Sequence, residues 1–524
     1  MADLPSLLSR NRDAVALVGT LADLEVFPRS FTTLGDSILF MGRQGRARQL
    51  GLLTSTDSAT ISGFDLEYHP VSLDGVALSL GLGDLSPRNA AALRAAVAFT
   101  ESTCLGLSKS VGLGDRLGIA TPGHIRALRR TQSNMRPILA QQSIREMERT
   151  ARTPQQVIDA ATWGVLQEGW TEGYGSDADH LKTREDIDAC AAVGFKLYTL
   201  DPREYVDNTA DSSDMGTLMH KIEKLPWGRL ETTFLSLLAT YVGKRQDLGA
   251  NVQLVPTDQQ IARAACKYGR AIAFLVEAYR YLVVTLGQRP FEVEISIDET
   301  DTPTKPVEHL FIASELRRLG VRWVSLAPRY VGRFEKGVDY IGDLTAFEAD
   351  FAQHAAIARA LGPYKLSLHS GSDKFSIYPI AARLAGELVH LKTAGTSYLE
   401  ALRAVACTDS ALFREILAFA AAHYEQDRAS YHVSAQLARM LNPDTLSDEQ
   451  LVTALDQFDT RQALHVTFGT VLTAKNADGS YRFRDQLYDV LACNEEVHYA
   501  ALETHLARHL QPFAPTIGFP PTRG

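Results

Sequence analysis

The sequence predicts an α/β protein built on a (β/α)8, TIM-type barrel, with a mixed α/β region before it and a helical extension after it. Three observations carry this reading. From Arg116 onward, β-type runs alternate with amphipathic helical runs, the pattern of parallel strands joined by helical crossovers. About eight such units fit into roughly 290 residues, the usual size of this barrel. Three of the strands also alternate apolar with charged residues, as a strand does when one face meets helices and the other meets a polar interior.

Taken in chain order, residues 1–113 form the mixed region, with β-type runs ALVGT, SILFMG and GVALSLGLG and a helical run NAAALRAAVAFTEST. The barrel is expected over 114–408. Its strands are RLGIATP at Arg116, RPILAQQS at Arg136, YGSDADHL at Tyr174, FKLYTLD at Phe195, FEVEISIDE at Phe291, RWVSLAPR at Arg322, YKLSLHSGS at Tyr364 and LVHLKTAG at Leu388. Thr153 reads as an N-cap with Pro154 at the first helical position, and Gly320 and Gly362 read as helix stops. The segment of about 202–290 is too long for a simple crossover and reads as an insertion over the upper rim. Residues 409–524 are expected to be mainly helical, with one β-like run, ALHVTFGTVLTA, and a frayed PPTRG tail.

Composition excludes several classes. A net charge of −9 over 524 residues and the lack of a Lys/Arg-rich block argue against nucleic-acid binding. Five widely spread cysteines without a CxxC pair fit a reducing compartment better than a disulfide framework. The N-terminus lacks a basic region followed by an apolar run. The most apolar stretch, AIAFLVEAYRYLVVTLG, is interrupted by Glu277 and Arg280 and falls short of the roughly 20 residues a membrane helix needs. The expectation is a cytoplasmic protein without membrane or nucleic-acid partners, with self-association left open. GLGDLS and GLGDRLG lack the full spacing of a dinucleotide fingerprint, and no P-loop or GxSxG motif occurs, so no nicotinamide cofactor is expected.

The strand polarity points to chemistry. In FEVEISIDE, Glu292, Glu294, Ser296 and Asp298 share a face opposite Val293, Ile295 and Ile297; Lys365, Ser367 and His369, and His390 with Lys392, alternate in the same way. Burying such sets is costly unless they are paired or bind a ligand. A salt-bridge network such as Lys392 with Glu294, serving only stability, is the plain alternative. His180, His369 and His390 lie at or near strand ends and are metal-ligand candidates, whereas His309 and His354 on helices are read as structural or surface-exposed. Asp177, Asp179, Glu294 and Asp298 could ligate, orient a histidine or move protons.

The blocks HSGSDKFSIYP from His369 and HLKTAGTSYLEALR from His390, with DADHLKT, SIDETDTPT and SLAPRYVGRFEKGVDYIGD, resemble the tagaturonate/fructuronate epimerase family of hexuronate catabolism, most strongly over about 177–403. The resemblance implies a metal-dependent epimerase acting on a sugar acid, or on a neutral ketohexose such as tagatose or fructose. It implies one divalent ion (Zn, Mn, Co or Ni) on His180, His369 and His390. Glu294 would be acid/base or a fourth ligand, and Asp179 the other acid/base group. Lys182, Asp298, Arg329, Asp373, Lys374 and Lys392 would bind substrate. Asp179 and His180 are consecutive, so both reach the site only if the strand ends or bulges there. An aldolase or sugar isomerase of the same barrel, or a non-catalytic sugar-acid binder, are the competing readings; NMR of the products separates the first from an epimerase.

Overall fold

A computed structural model describes residues 13–55, 63–73, 75–250 and 252–515. The PPTRG tail and residues 1–12 of the N-terminal stretch lie outside these. The barrel is closed by eight strands: β1 (Ser110–Leu113), β2 (Arg136–Ser143), β3 (Gly175–Leu181), β4 (Leu197–Leu200), β5 (Glu292–Ile297), β6 (Ser325–Pro328), β7 (Lys365–Leu368) and β8 (Val389–Thr393). Each pairs in parallel with its neighbours in chain order, and β8 returns to β1. Strand alternation does what the sequence implied: Val293, Ile295, Leu366, Leu368, Val389 and Leu391 are buried in the shared apolar core. The helix Pro154–Glu168 starts on Thr153, whose side chain accepts from the Gln156 N–H, with Pro154 at its first position.

The first strand departs from expectation. RLGIATP is not a strand; β1 precedes it at Ser110–Leu113. The cause is Asp115, whose carboxylate accepts from the backbone N–H groups of Leu117 (3.0 Å), Gly118 (2.7 Å) and Ala120 (2.7 Å). These bonds turn the chain before the helix Thr121–Thr131 begins.

Ahead of the barrel, a six-stranded antiparallel sheet runs from Glu25 to Asp84. The strand Ser37–Gln44 is buried on both faces because its alternate residues enter different cores. Leu39 and Met41 pack on helix Pro87–Ala96 and on Trp163 and Leu166 of the barrel, while Ile38 and Phe40 meet Val18. ALVGT, read as a β-run, belongs to a helix, Ala14–Ala22, whose Val18 and Ala22 are one turn apart and buried together.

The insertion between β4 and β5 serves two purposes. Its first turns, Arg203–Tyr205 and Asn208–Asp211, reach the barrel mouth. Its 29-residue helix Asp258–Leu286 instead takes the ordinary crossover place against helices Arg184–Val193 and Pro306–Arg318. Among the described residues no helix is long and apolar enough to cross a membrane.

After β8 the chain is helical. The run ALHVTFGTVLTA forms two helices, Phe458–Val466 and Phe468–Thr473, not a strand. Leu464, Phe468, Val471 and Leu472 stand at i, i+4, i+7 and i+8 and all enter one helical core, so the 3.6-residue period prevails over the β-branched composition. These helices are tied to the barrel by a buried polar cluster. Arg461 contacts Asp373 (3.1 Å) and Glu400 (3.3 Å), and His505 contacts the same two carboxylates at 2.5 and 3.3 Å.

Asp115→Ala is expected to destabilise the chain by about 3 kcal/mol, since three backbone donors lose one charged acceptor. Asp115→Asn, which keeps an acceptor, should lose about half as much. Denaturant midpoints at unchanged slope measure this, and an Asp115→Ala midpoint equal to that of the parent chain would refute the role given to Asp115.

Candidate active site

The polar faces of β3, β4, β5 and β8 converge inside the barrel on one ammonium. Lys392 Nζ lies 2.7 Å from Asp177 Oδ2, Asp179 Oδ1 and Glu294 Oε1, and donates to Thr199 Oγ1 at 2.8 Å. Its neighbour Leu391 points the other way into the apolar core. Although burial opposes its charge, the three carboxylates hold Lys392 well above the ordinary lysine range. Asp179 and Glu294 are held well below the usual carboxylate range despite burial, Asp179 by His180 and Lys392 and Glu294 by Lys392 and His369.

One residue above this level, β3 bulges. Ala178 stands opposite Tyr198 and Leu181 opposite Leu200, so two residues, Asp179 and His180, face the single Thr199 of β4. His180 takes φ 57, a left-handed conformation that costs a non-glycine residue about 1–2 kcal/mol. The bulge brings consecutive residues to the same mouth, with His180 Nδ1 2.8 Å from Asp179 Oδ1.

His369 follows β7 and bridges two acids, Nε2 at 2.7 Å from Glu294 Oε1 and Nδ1 at 3.0 Å from Asp298 Oδ1. Its ring lies 5.1 Å from that of His180. The ligand atoms of His180, Asp298 and His369 all lie within 4.8 Å of one another. Four carboxylates here (Asp177, Asp179, Glu294, Asp298) face one ammonium. Burial disfavours imidazolium, yet Asp179 pushes His180 up to about 10, and Asp298 with Glu294 pushes His369 up to about 9. A divalent ion on the two neutral imidazoles would offset the same two negative charges as those two protons do. Two nitrogens and a carboxylate oxygen are a donor set that suits Zn, Mn, Co or Ni, so these residues fit such an ion.

His390 is not part of this group. It lies two residues below Lys392 on the same face, its Nδ1 2.9 Å from Ser110 Oγ, and burial pushes it down to about 3. Asp298, expected on the substrate, lines the main cavity and stands with His180 and His369. Asp373 is also elsewhere, clamped by Arg461 and His505 as described above. Lys374 is buried and spends its ammonium on the carbonyls of Glu335 (2.8 Å), Val338 (2.5 Å) and Ser372 (2.9 Å). Arg329 borders the main cavity, of about 400 Å³, beside Asp298 and His369. Lys182 lines an adjoining hollow next to His180, 3.8 Å from Asp201. His309 and His354 are buried and paired at 2.9 Å, a structural role but not a surface one.

Four cations that the sequence did not single out line the main cavity: Arg145, Arg203, Arg333 and Lys336. Arg145 is the second residue of the helix Ile144–Thr150, which follows β2 directly, and Lys336 lies in the loop after β6. The signal was positional: both come just after the C-terminal end of a barrel strand, where this fold gathers its working residues.

The tagaturonate epimerase family model, UxaE, matches residues 27–513. A tagaturonate/fructuronate epimerase of Thermotoga maritima is 43% identical over 406 residues, 77% of this chain and 80% of the relative. The crystal structure of the fructuronate-tagaturonate epimerase UxaE from Cohnella laeviribosi with one glycerol aligns at TM-score 0.87 and 40% identity, over 95% of this chain and 98% of that one. The native crystal structure of the same enzyme aligns with the same values.

Lys392→Met should invert the pH dependence of stability. In the parent chain, depressed carboxylates contribute stability above their unfolded-state pKa, and this is lost as pH falls. Asp177 differs, since burial already pushes it up to about 6; without the ammonium it rises further while Asp179 and Glu294 keep only their histidines, so the variant should be more stable near pH 5 than near pH 8. Its loss near pH 8 should be about 3–5 kcal/mol. Urea midpoints across this range decide it; a parallel offset at every pH would contradict the assignment.

Proposed function

The chain belongs to the tagaturonate epimerase family, and from that premise we propose that it interconverts D-tagaturonate and D-fructuronate by breaking and re-forming a carbon–carbon bond, aided by one divalent ion. It is an epimerase, an isomerase by class. The observation that carries the finer reading is the placement of His180, Asp298 and His369 directly beside two ionised carboxylates, Asp179 and Glu294, at the barrel mouth.

His180, Asp298 and His369 would hold the ion; His390, deeper in the barrel, would not. Bound there, a divalent ion supplies Lewis-acid polarisation of substrate oxygens. The protein's own groups do the rest. The two keto acids differ at the carbon β to the ketone, whose C–H the carbonyl does not acidify. Asp179 or Glu294, kept ionised by Lys392, takes the proton of the hydroxyl on that carbon. The bond to the α carbon then breaks, its electron pair passing into the ketone half as an enediolate and the β carbon becoming an aldehyde. The aldehyde turns, presents its other face, the bond re-forms, and the same carboxyl group returns the proton. Tagatose and fructose differ at the same carbon and are candidates for the same chemistry.

Incubation with D-tagaturonate should yield D-fructuronate. Exhaustive chelation should abolish turnover, and Mn2+, Zn2+, Co2+ or Ni2+ should restore it; full activity in verified metal-free protein would end the metal reading.

Glu294→Gln should lower the rate roughly 10²–10⁴-fold with bound metal unchanged, as expected on loss of a general acid/base. In D2O the inverted carbon should keep its hydrogen, because it passes through an aldehyde that retains its C–H. Deuterium appearing there, read by NMR, would overturn bond cleavage in favour of direct deprotonation.

A further inference from the structure

The main cavity is lined by charges of both signs, Asp298 and His369 together with Arg145 and Lys336. The same four residues border a smaller hollow with Asp179 and His180. Of the five arginines and lysines in its wall, Arg203 pairs with Glu299 at 2.6 Å and Arg333 with Glu335 at 3.5 Å. Among the described residues Arg145, Arg329 and Lys336 have no carboxylate within the 4.0 Å of an ion pair. Of these three, Arg145 and Lys336 lie close enough for the charge of one to act on the other. Lys336 Nζ donates to Ser370 Oγ at 2.7 Å, and the Arg145 guanidinium lies 5.3 Å from the centre of the Tyr431 ring.

Glu146 and Glu299 act on both cations from beyond ion-pair distance, and two half-buried neighbouring cations with no carboxylate in contact leave room for a ligand to supply one. Burial first, and the neighbouring Arg145 charge second, push Lys336 below the ordinary lysine range. The cavity, about 400 Å³, is of a size for one small ligand. The chemistry that completes it is a short hydroxylated chain ending in a carboxylate.

We infer that Arg145 and Lys336 form the seat of the substrate carboxylate and set the preference for a sugar acid over a neutral ketohexose. The inference rests on the epimerase reading, in which the carboxylate belongs to the half of the substrate that becomes the aldehyde. Guanidinium offers five donors and can grip a carboxylate in two places, and the ammonium adds a point charge. With the carboxylate fixed, the bond between the aldehyde carbon and the hydroxylated carbon beside the carboxylate remains free to turn. The seat therefore holds the fragment while letting it present its other face.

The test is calorimetric binding to the metal-loaded full chain of D-galactonate and of galactitol, a hexonate and its uncharged counterpart. The parent protein should bind the acid roughly 100-fold more tightly, the scale of one or two charge-assisted contacts. Arg145→Gln and Lys336→Met should each cut this ratio about 10-fold, and the pair together should bring it near one. Arg145→Lys and Lys336→Arg, which keep the charge and guard against a folding failure, should retain most of it. A ratio that survives both neutral substitutions would overturn the seat. A parent protein that shows the ratio but does not epimerise tagaturonate would support the seat while ending the epimerase reading. Intact turnover with an unchanged ratio in the variants would do the reverse.

Discussion

The site depends on a single buried ammonium. A closed eight-stranded barrel turns every second side chain of each strand inward, where no bulk water compensates charge. Asp177 and Asp179 on β3 and Glu294 on β5 are tolerable there because Lys392 on β8 reaches all three at 2.7 Å. The barrel floor is satisfied separately. Glu292 accepts from the Leu105 N–H at 3.1 Å, and Lys365 donates to Ser110 Oγ at 3.0 Å. The interior is thus a stack of polar layers, each needing its own partners, and the uppermost opens to a cavity.

That top layer stays acidic after Lys392 is counted, and this surplus governs the rest of the site. It keeps protons on His180 and His369 against the cost of burial, and the same field favours a divalent ion on those imidazoles. Beside it, Arg145 and Lys336 line the same cavity with no carboxylate in contact. A site that attracts a cation at its imidazoles and offers two cations nearby suits a substrate with one carboxylate.

The C-terminal helices are part of this arrangement. Gly371 lies against β8, where an added Cβ would sit 2.5 Å from Leu391 Cδ1 and 2.6 Å from the Leu368 carbonyl oxygen. Asp373, at φ 62, is gripped by Arg461 and His505, and Tyr378 donates to the Gly371 carbonyl at 2.5 Å. These contacts fix the loop that carries His369 at its start and supports Lys336 through Ser370. Helices remote in sequence thereby hold two cavity residues in place.

Much of this was legible in the chain itself. Alternation in FEVEISIDE, YKLSLHSGS and LVHLKTAG marked the inward polar faces, and seven of the eight expected barrel strands lie where they were read. The pairing of Lys392 with Glu294 was visible as an alternative, and so was the need for a bulge at Asp179–His180. Alternation, however, tells only which face a residue occupies, not its height. Height follows from the pairing register, which sets His390 level with Ser110 and Ser367, below the site. Direction in loops follows from backbone torsions and from distant partners. Hence Asp298 meets His180 and His369, Asp373 turns toward Arg461, Lys374 spends its ammonium on backbone carbonyls, and Arg145 and Lys336 reach the cavity. The sequence determined which residues could be inside and in what order; closure of the barrel, which aligns strands far apart in the chain, decided which of them meet.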